Sequence, residues 1–271
     1  MRLSAGCEIV VRAAEESPVV TMLRPRRSQN VLEDRFVLSR QLPFTQFSDV
    51  FGNVCQRFTV PRGELRIFAS ARVDSEATVA TNRHAPRTHV SKLPDASLHF
   101  TLPSRYCPSD RLMPLAKQIA LPTLTGYEQV QAIRDYVHRK LEYRPGVSNS
   151  STDAEQTLAA GAGVCRDFAH VAIALCRAID IPARMVAGYL RELAPMDLHA
   201  WFEAYVGDRW YTFDATEDNL LGGRIVLGYG RDAADVAFLS DFGSLELISM
   251  RTWVDEQARD TLESPSRSAS A

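Results

Sequence analysis

The sequence predicts an α+β protein: an N-terminal all-β, sandwich-like domain, then a half in which helices pack on an antiparallel sheet. Three observations predict this. The first hundred residues alternate between short apolar runs and turn signals. The apolar period then lengthens to that of a helix over roughly residues 127–179, and strand-like alternation returns from residue 183 onward.

In the first half, strand-like runs fall at Glu8–Arg12, Val19–Leu23, Arg35–Leu38, Val54–Val60 and Glu64–Val73. Ser17-Pro18, Phe51-Gly52-Asn53 and Pro61-Arg62-Gly63 separate them as turns. Several short strands at such spacing suggest two packed sheets. Pro94, Pro103 and Pro108 then punctuate a connecting stretch. The predicted units are residues 1–100 and 101–257, with a Ser-rich, charged tail over 258–271 expected to be disordered.

In the second half, Val130, Ile133, Val137 and Leu141 recur at helical spacing. Thr152-Asp-Ala-Glu155 reads as a capping box opening a short helix that ends near Gly161. Phe168, Val171, Ala172, Leu175 and Ile179 mark a third helix beginning at Cys165, with Pro182 past its end. Strands are expected at Ala183–Leu190, Leu198–Val206 and Trp210–Ala215. Ile225–Leu227 and Leu245–Trp253 are further candidates for the same half.

Composition narrows the function. Of 271 residues, 45% are apolar, the share of an ordinary globular protein, and the formal charge of −2 is well mixed. No basic block marks a nucleic-acid surface, and Arg24, Arg26 and Arg27, broken by Pro25, read as a solvated turn. Leu3-Ser4-Ala5-Gly6-Cys7 faintly resembles a lipoprotein cleavage site, but no apolar stretch precedes it; no membrane-spanning run occurs either, so no membrane association is expected. Five cysteines are an odd number. Two of them, Cys165 and Cys176, are eleven positions apart on one predicted helix, roughly 16 Å at the helical rise and beyond disulfide reach. A reduced, cytoplasmic setting is expected. There is no phosphate loop, no dinucleotide fingerprint and no recognised zinc spacing, so neither cofactor nor metal is expected.

The chemistry concentrates on three residues. Cys165 follows Gly161-Ala-Gly163-Val164 and opens a helix, where free N–H groups and the helix dipole favour a thiolate and the backbone can receive an oxyanion. His199 lies on an alternating strand with Ala200, Phe202, Ala204 and Val206 on one face and His199, Trp201, Glu203 and Tyr205 on the other. Gly207-Asp208 is a two-residue hairpin signal. Closing there sets Val206 opposite Arg209 and Trp201 opposite Asp214. His199 and Asp214 then become diagonal neighbours, roughly 7 Å apart at the backbone. Asp214 could hold one ring nitrogen of His199 and leave the other for the thiol. A slip of one residue would put the two on opposite faces.

These residues also match a pattern. Gly161-x-Gly-Val-Cys165-Arg-Asp-Phe-Ala-His170, Ile181-Pro-Ala-Arg184, Gly188-Tyr189, His199-Ala-Trp201, Phe213-Asp-Ala-Thr216 and Gly230-Arg-Asp-Ala-Ala-Asp-Val236 resemble the bacterial transglutaminase-like family over about residues 105–240. The resemblance implies a papain-like transglutaminase core with Cys165, His199 and Asp214 as a catalytic triad. Many members have Gln after the nucleophile where this chain has Arg166, which is read here as a solvated flank rather than a cation serving the thiolate.

Three further residues are candidates for support or substrate binding. Trp201 could cover the triad, line a cleft or simply pack in the sheet. His170 could back the site or be a core histidine, the commoner case. Tyr143 could donate to an oxyanion. The expected activity is a cysteine peptidase or amidohydrolase working through a thioester on a protein or peptide substrate. Acyl transfer to an amine, as in a transglutaminase, is the alternative, and a non-catalytic protein-binding scaffold is the reading from a different class. Retention of all three triad residues weighs against the scaffold.

Overall fold

The structure is a computed structural model and describes residues 1–122 and 124–257. The expected tail, 258–271, lies outside the described residues. The first six strands are β1 (Arg2–Ala13), β2 (Ser17–Thr21), β3 (Asn30–Leu38), β4 (Thr45–Ser48), β5 (Val54–Val60) and β6 (Gly63–Asp74). Helices α1 (Asp95–Leu98), α2 (Met113–Ile119) and α3 (Gly126–Lys140) follow, then β7 (Glu142–Tyr143), α4 (Ala154–Ala160), β8 (Ala162–Gly163) and α5 (Cys165–Arg177). The chain ends in β9 (Ala183–Leu190), β10 (His199–Val206), β11 (Arg209–Phe213), β12 (Arg224–Gly230), β13 (Leu239–Asp241) and β14 (Leu245–Gln257).

The N-terminal half is a two-sheet sandwich, in the orders β14-β1-β6-β3 and β13-β2-β5-β4. Its core follows from period-two alternation: Leu3, Ala5, Ile9 and Val11 of β1, Leu65, Ile67, Ala69 and Val73 of β6, and Phe58 and Val60 of β5 bury one face of their strands. The outer two strands correct the sequence grouping. Leu245–Gln257 does not join the second half; it runs antiparallel to β1 from Arg2↔Gln257 to Ala13↔Leu245, and β13 pairs with β2. Strand pairing across such a separation leaves no local signature.

The second half is an α+β core. Its sheet has the order β11-β10-β9-β12. Helix α5 is buried on nearly every side, as its apolar composition requires, and packs on Ala200, Phe202, Ala204 and Val206 of β10. Leu198, ahead of the strand, packs instead into the sandwich core with Tyr189, Ile225 and Leu227, so the two halves share one apolar seam. Helix α3 opens on a capping box of Thr125 and Glu128. The box at α4 lies one residue later than the sequence suggests: Asp153 accepts from the Gln156 N–H and Gln156 closes back on Asp153, while Thr152 Oγ1 accepts from the Asn149 N–H.

Candidate active site

Cys165 is the first residue of α5 and is partly exposed; Cys7, Cys55, Cys107 and Cys176 are buried, and all five are unpaired. The approach to α5 is built around Asp167. Its fully buried carboxylate turns back to accept the Val164 N–H at 2.9 Å and a hydrogen bond from the Ser148 hydroxyl, and it pairs with Arg166 at 2.8 Å. Gly163 makes this possible: a Cβ there would sit 2.7 Å from Asp167 Cβ. Arg166 is therefore no free flank. It also donates to Asn149 O and ties the 148–149 turn to the helix start.

The hairpin closes at the expected place. Gly207 and Asp208 both take positive φ, as a type I′ turn requires, and the ladder runs from Val206↔Arg209 to Phe202↔Phe213. One step beyond it, Asp214 reaches diagonally to His199, and His199 Nε2 lies 2.8 Å from Asp214 Oδ2 with both side chains buried. Asp214 is fully satisfied: Oδ2 also accepts from Arg224 Nη2 at 2.9 Å, and Oδ1 accepts from the N–H and hydroxyl of Thr216 at 3.1 and 2.7 Å. Behind it, Arg134 of α3 donates to the carbonyls of Asp214, Glu217 and Asp218, while His138 bonds Ala215 O and Asp218. The helix thus staples down the loop that carries the carboxylate.

The electrostatics follow from these contacts. Burial alone would strip His199 of its proton. Hydrogen bonding to Asp214 and to Cys165, with the charges of both, overrides that and raises the imidazole to about 9. Since Asp214 occupies Nε2, the other ring nitrogen, Nδ1, is the one left for the thiol. Asp214 is also penalised by burial, yet His199, Arg224 and Thr216 together hold it well below the usual carboxylate range.

The three supporting candidates separate. Trp201 is buried at 1% exposure, stacked beside His199 with ring centroids 6.0 Å apart and in contact with the Arg224 guanidinium. Tyr143 is half exposed and stands close to Cys165. The two-residue parallel ladder Glu142↔Ala162, Tyr143↔Gly163 puts it beside the start of α5, and its phenol is pushed up to about 12 by burial, then by the charges of Cys165 and Asp197. His170 is elsewhere. Fully buried, it stacks on Tyr106 and accepts the Ala233 N–H at 3.1 Å, and burial holds it down to about 4. It is a core histidine facing the 232–234 turn. Arg224 is a polar neighbour of the site that sequence reasoning missed, as are Arg134, His138 and Asp197. Among the described residues, no three His, Cys, Asp or Glu side chains cluster as metal ligands, and no helix is long and apolar enough to cross a membrane.

A partly exposed cysteine at a helix start, with a buried histidine–aspartate pair on a hairpin of the adjoining sheet, fits a cysteine-dependent enzyme family on a papain-like core. Residues 114–215 match the transglutaminase-like superfamily. A crystal structure described as that of a "putative cysteine protease" from Cytophaga hutchinsonii superposes with a TM-score of 0.89 at 33% identity, covering 96% of this chain and 92% of that one. An uncharacterised protein of Mycobacterium leprae is 29% identical over 206 residues, 71% of this chain and 73% of its own. One from Mycobacterium tuberculosis is 33% identical over 143 residues, and the match spans about half the length of each. The chain belongs to the transglutaminase-like superfamily.

Proposed function

We propose that the protein is a cysteine peptidase or amidohydrolase acting on a protein or peptide substrate through Cys165, His199 and Asp214. The observation that carries this is the buried 2.8 Å contact of His199 Nε2 with Asp214, which leaves the other face of a proton-retaining imidazole to Cys165. The Cys165 thiolate attacks the amide carbonyl carbon, and the oxyanion forms at the start of α5, where the Cys165 N–H and the Tyr143 hydroxyl are at hand. The imidazolium gives its proton to the leaving amine as the C–N bond breaks, producing a thioester. Water then adds to the thioester, losing a proton to His199, and the carboxylic acid leaves as the C–S bond breaks. Trp201 keeps bulk water off the histidine–aspartate contact. The partner read most simply from this chemistry is a peptide carbonyl, and five unpaired thiols suit a reducing, cytoplasmic setting.

The test is the rate of iodoacetamide labelling at Cys165 across pH 4–9, compared with a free model thiol. A model thiol is the right reference, because the other four cysteines are buried and would label slowly whatever Cys165 does. Labelling faster than the model thiol at pH 6, lost in His199→Ala, supports the reading. Labelling that tracks the model thiol and ignores the mutation sinks it and favours the scaffold.

A further inference from the structure

The carboxylate of Asp214 serves two partners. Its Oδ2 accepts from His199 Nε2 and, at 2.9 Å, from Nη2 of Arg224 on β12. The Arg224 side chain is only 8% exposed, its Nε donates to Leu221 O at 3.0 Å, and its guanidinium lies 4.7 Å from the centre of the Trp201 ring. Burying a cation this far is costly unless a charge and hydrogen bonds meet it, so the guanidinium and the carboxylate hold each other in place. The backbone that presents Arg224 is fixed from the sandwich side. Ser75 Oγ donates to the Arg224 carbonyl at 2.8 Å, and the Gly223 N–H donates to Glu76 O at 2.9 Å.

This sharing matters for proton transfer. A lone carboxylate against an imidazole can rotate about its Cβ–Cγ bond, and it stabilises the imidazolium without limit from other charges. Here four donors on two oxygens stop the rotation. The positive charge of Arg224 stabilises the Asp214 anion and opposes the imidazolium, so His199 keeps its partner yet can still give up a proton. We propose that Arg224 is a positioning residue of this site: it fixes the Asp214 carboxylate and offsets part of its charge, so that His199 can release its proton to the leaving group. The inference rests on Cys165, His199 and Asp214 acting as proposed above. The charged, titrating and hydrogen-bonding groups that bear on it are Cys165 and Asp214 at the imidazole, Arg224 and the neutral donor Thr216 at the carboxylate, Arg134 at the Asp214 carbonyl, His138 with Asp218 behind the loop, and Tyr143 with Asp197 at the thiol.

The experiment is an NMR titration of isotope-labelled histidine, assigned with His199→Ala, alongside iodoacetamide labelling of Cys165 against pH. Wild type is compared with Arg224→Met, Arg224→Gln and Arg224→Lys. Removing the cation favours the imidazolium and disfavours the thiolate, so both titrations move to higher pH. In the two neutral variants the His199 midpoint rises by about half a pH unit or more and Cys165 labelling at pH 6 slows roughly threefold; lysine, which keeps the charge, returns both most of the way. Arg224→Gln retains a donor toward Asp214 and gives the answer if Arg224→Met does not fold. A neutral variant that melts earlier with both titrations unmoved overturns the proposal, because Arg224 is then only a packing element. If wild-type Cys165 itself labels no faster than a free thiol, the function proposed above fails first, and that result is separate from any effect of Arg224.

Discussion

His199 and Asp214 are 15 residues apart in the chain and 2.8 Å apart in space, joined diagonally across one hairpin. The hairpin has a two-residue turn, so the pair has almost no freedom of register. The contact is as exact as the turn that closes it, and it is buried from the solvent that would otherwise compete for it.

Replacing the carboxylate by its neutral isostere should separate shape from charge. In Asp214→Asn the imidazole loses its anionic partner and can settle in the wrong tautomer. Acylation by an activated p-nitrophenyl ester should fall by about 10²- to 10⁴-fold. The protein should also melt earlier, because Arg224 stays buried without its counter-charge. Unchanged acylation would remove Asp214 from the reaction.

The raised proton affinity of His199 has a consequence for stability. The folded protein binds this proton more tightly than an unfolded chain with an ordinary histidine near 6.5, so the stabilisation is fully present below that pH and is lost as pH rises through about 9. Asp214 works in the opposite sense. Its lowered affinity stabilises the fold above the ordinary carboxylate range and is lost on acidification. Melting temperature should therefore drop between pH 7 and 10 in wild type by more than it does in His199→Ala. Parallel curves would show that the proton is not held by the fold.

Tyr143 is half exposed, so Tyr143→Phe should leave the melting temperature where it is. If the phenol donates to the oxyanion, acylation slows roughly tenfold or more while Cys165 still labels. Equal acylation rates would leave the backbone N–H of Cys165 to do this alone.

Gly163→Ala tests the approach to Cys165. The added Cβ would fall 2.7 Å from Asp167 Cβ, and the first turn of α5 must shift to accept it. A loss of about 1–3 kcal/mol in urea unfolding is expected, with slower labelling at Cys165. Full stability would mean that the turn has slack.

The parts of this architecture legible in the sequence are those fixed by short-range rules. Gly207-Asp208 dictates a hairpin, and period-two alternation then brings His199 and Asp214 to one face. The apolar run from Phe168 to Ile179 dictates a buried helix, and Cys165 falls at its start. What lay beyond reach depends on contacts that no local pattern encodes. Arg224 meets Asp214 through a strand on the far side of β9 from β10, and a long arginine side chain carries no periodic signal of its target. Tyr143 is placed by a two-residue ladder too short to show alternation. His170 lies on a helix buried all round, where spacing cannot say which neighbour a ring faces. Leu245–Trp253 reads as a strand, which the structure extends to Gln257, but its partner is at the other end of the described chain.

That pairing also orders events during synthesis. β1 is synthesised more than two hundred residues before β14, the neighbour on its outer side. Until then the nascent sandwich carries an open edge on a twelve-residue strand, the kind of edge to which another chain can add. The helical core, whose elements lie closer together in sequence, can close while the sandwich is still waiting. The last described strand thus works as a latch: a chain lacking it could form the core and would leave the sandwich sheet unsealed.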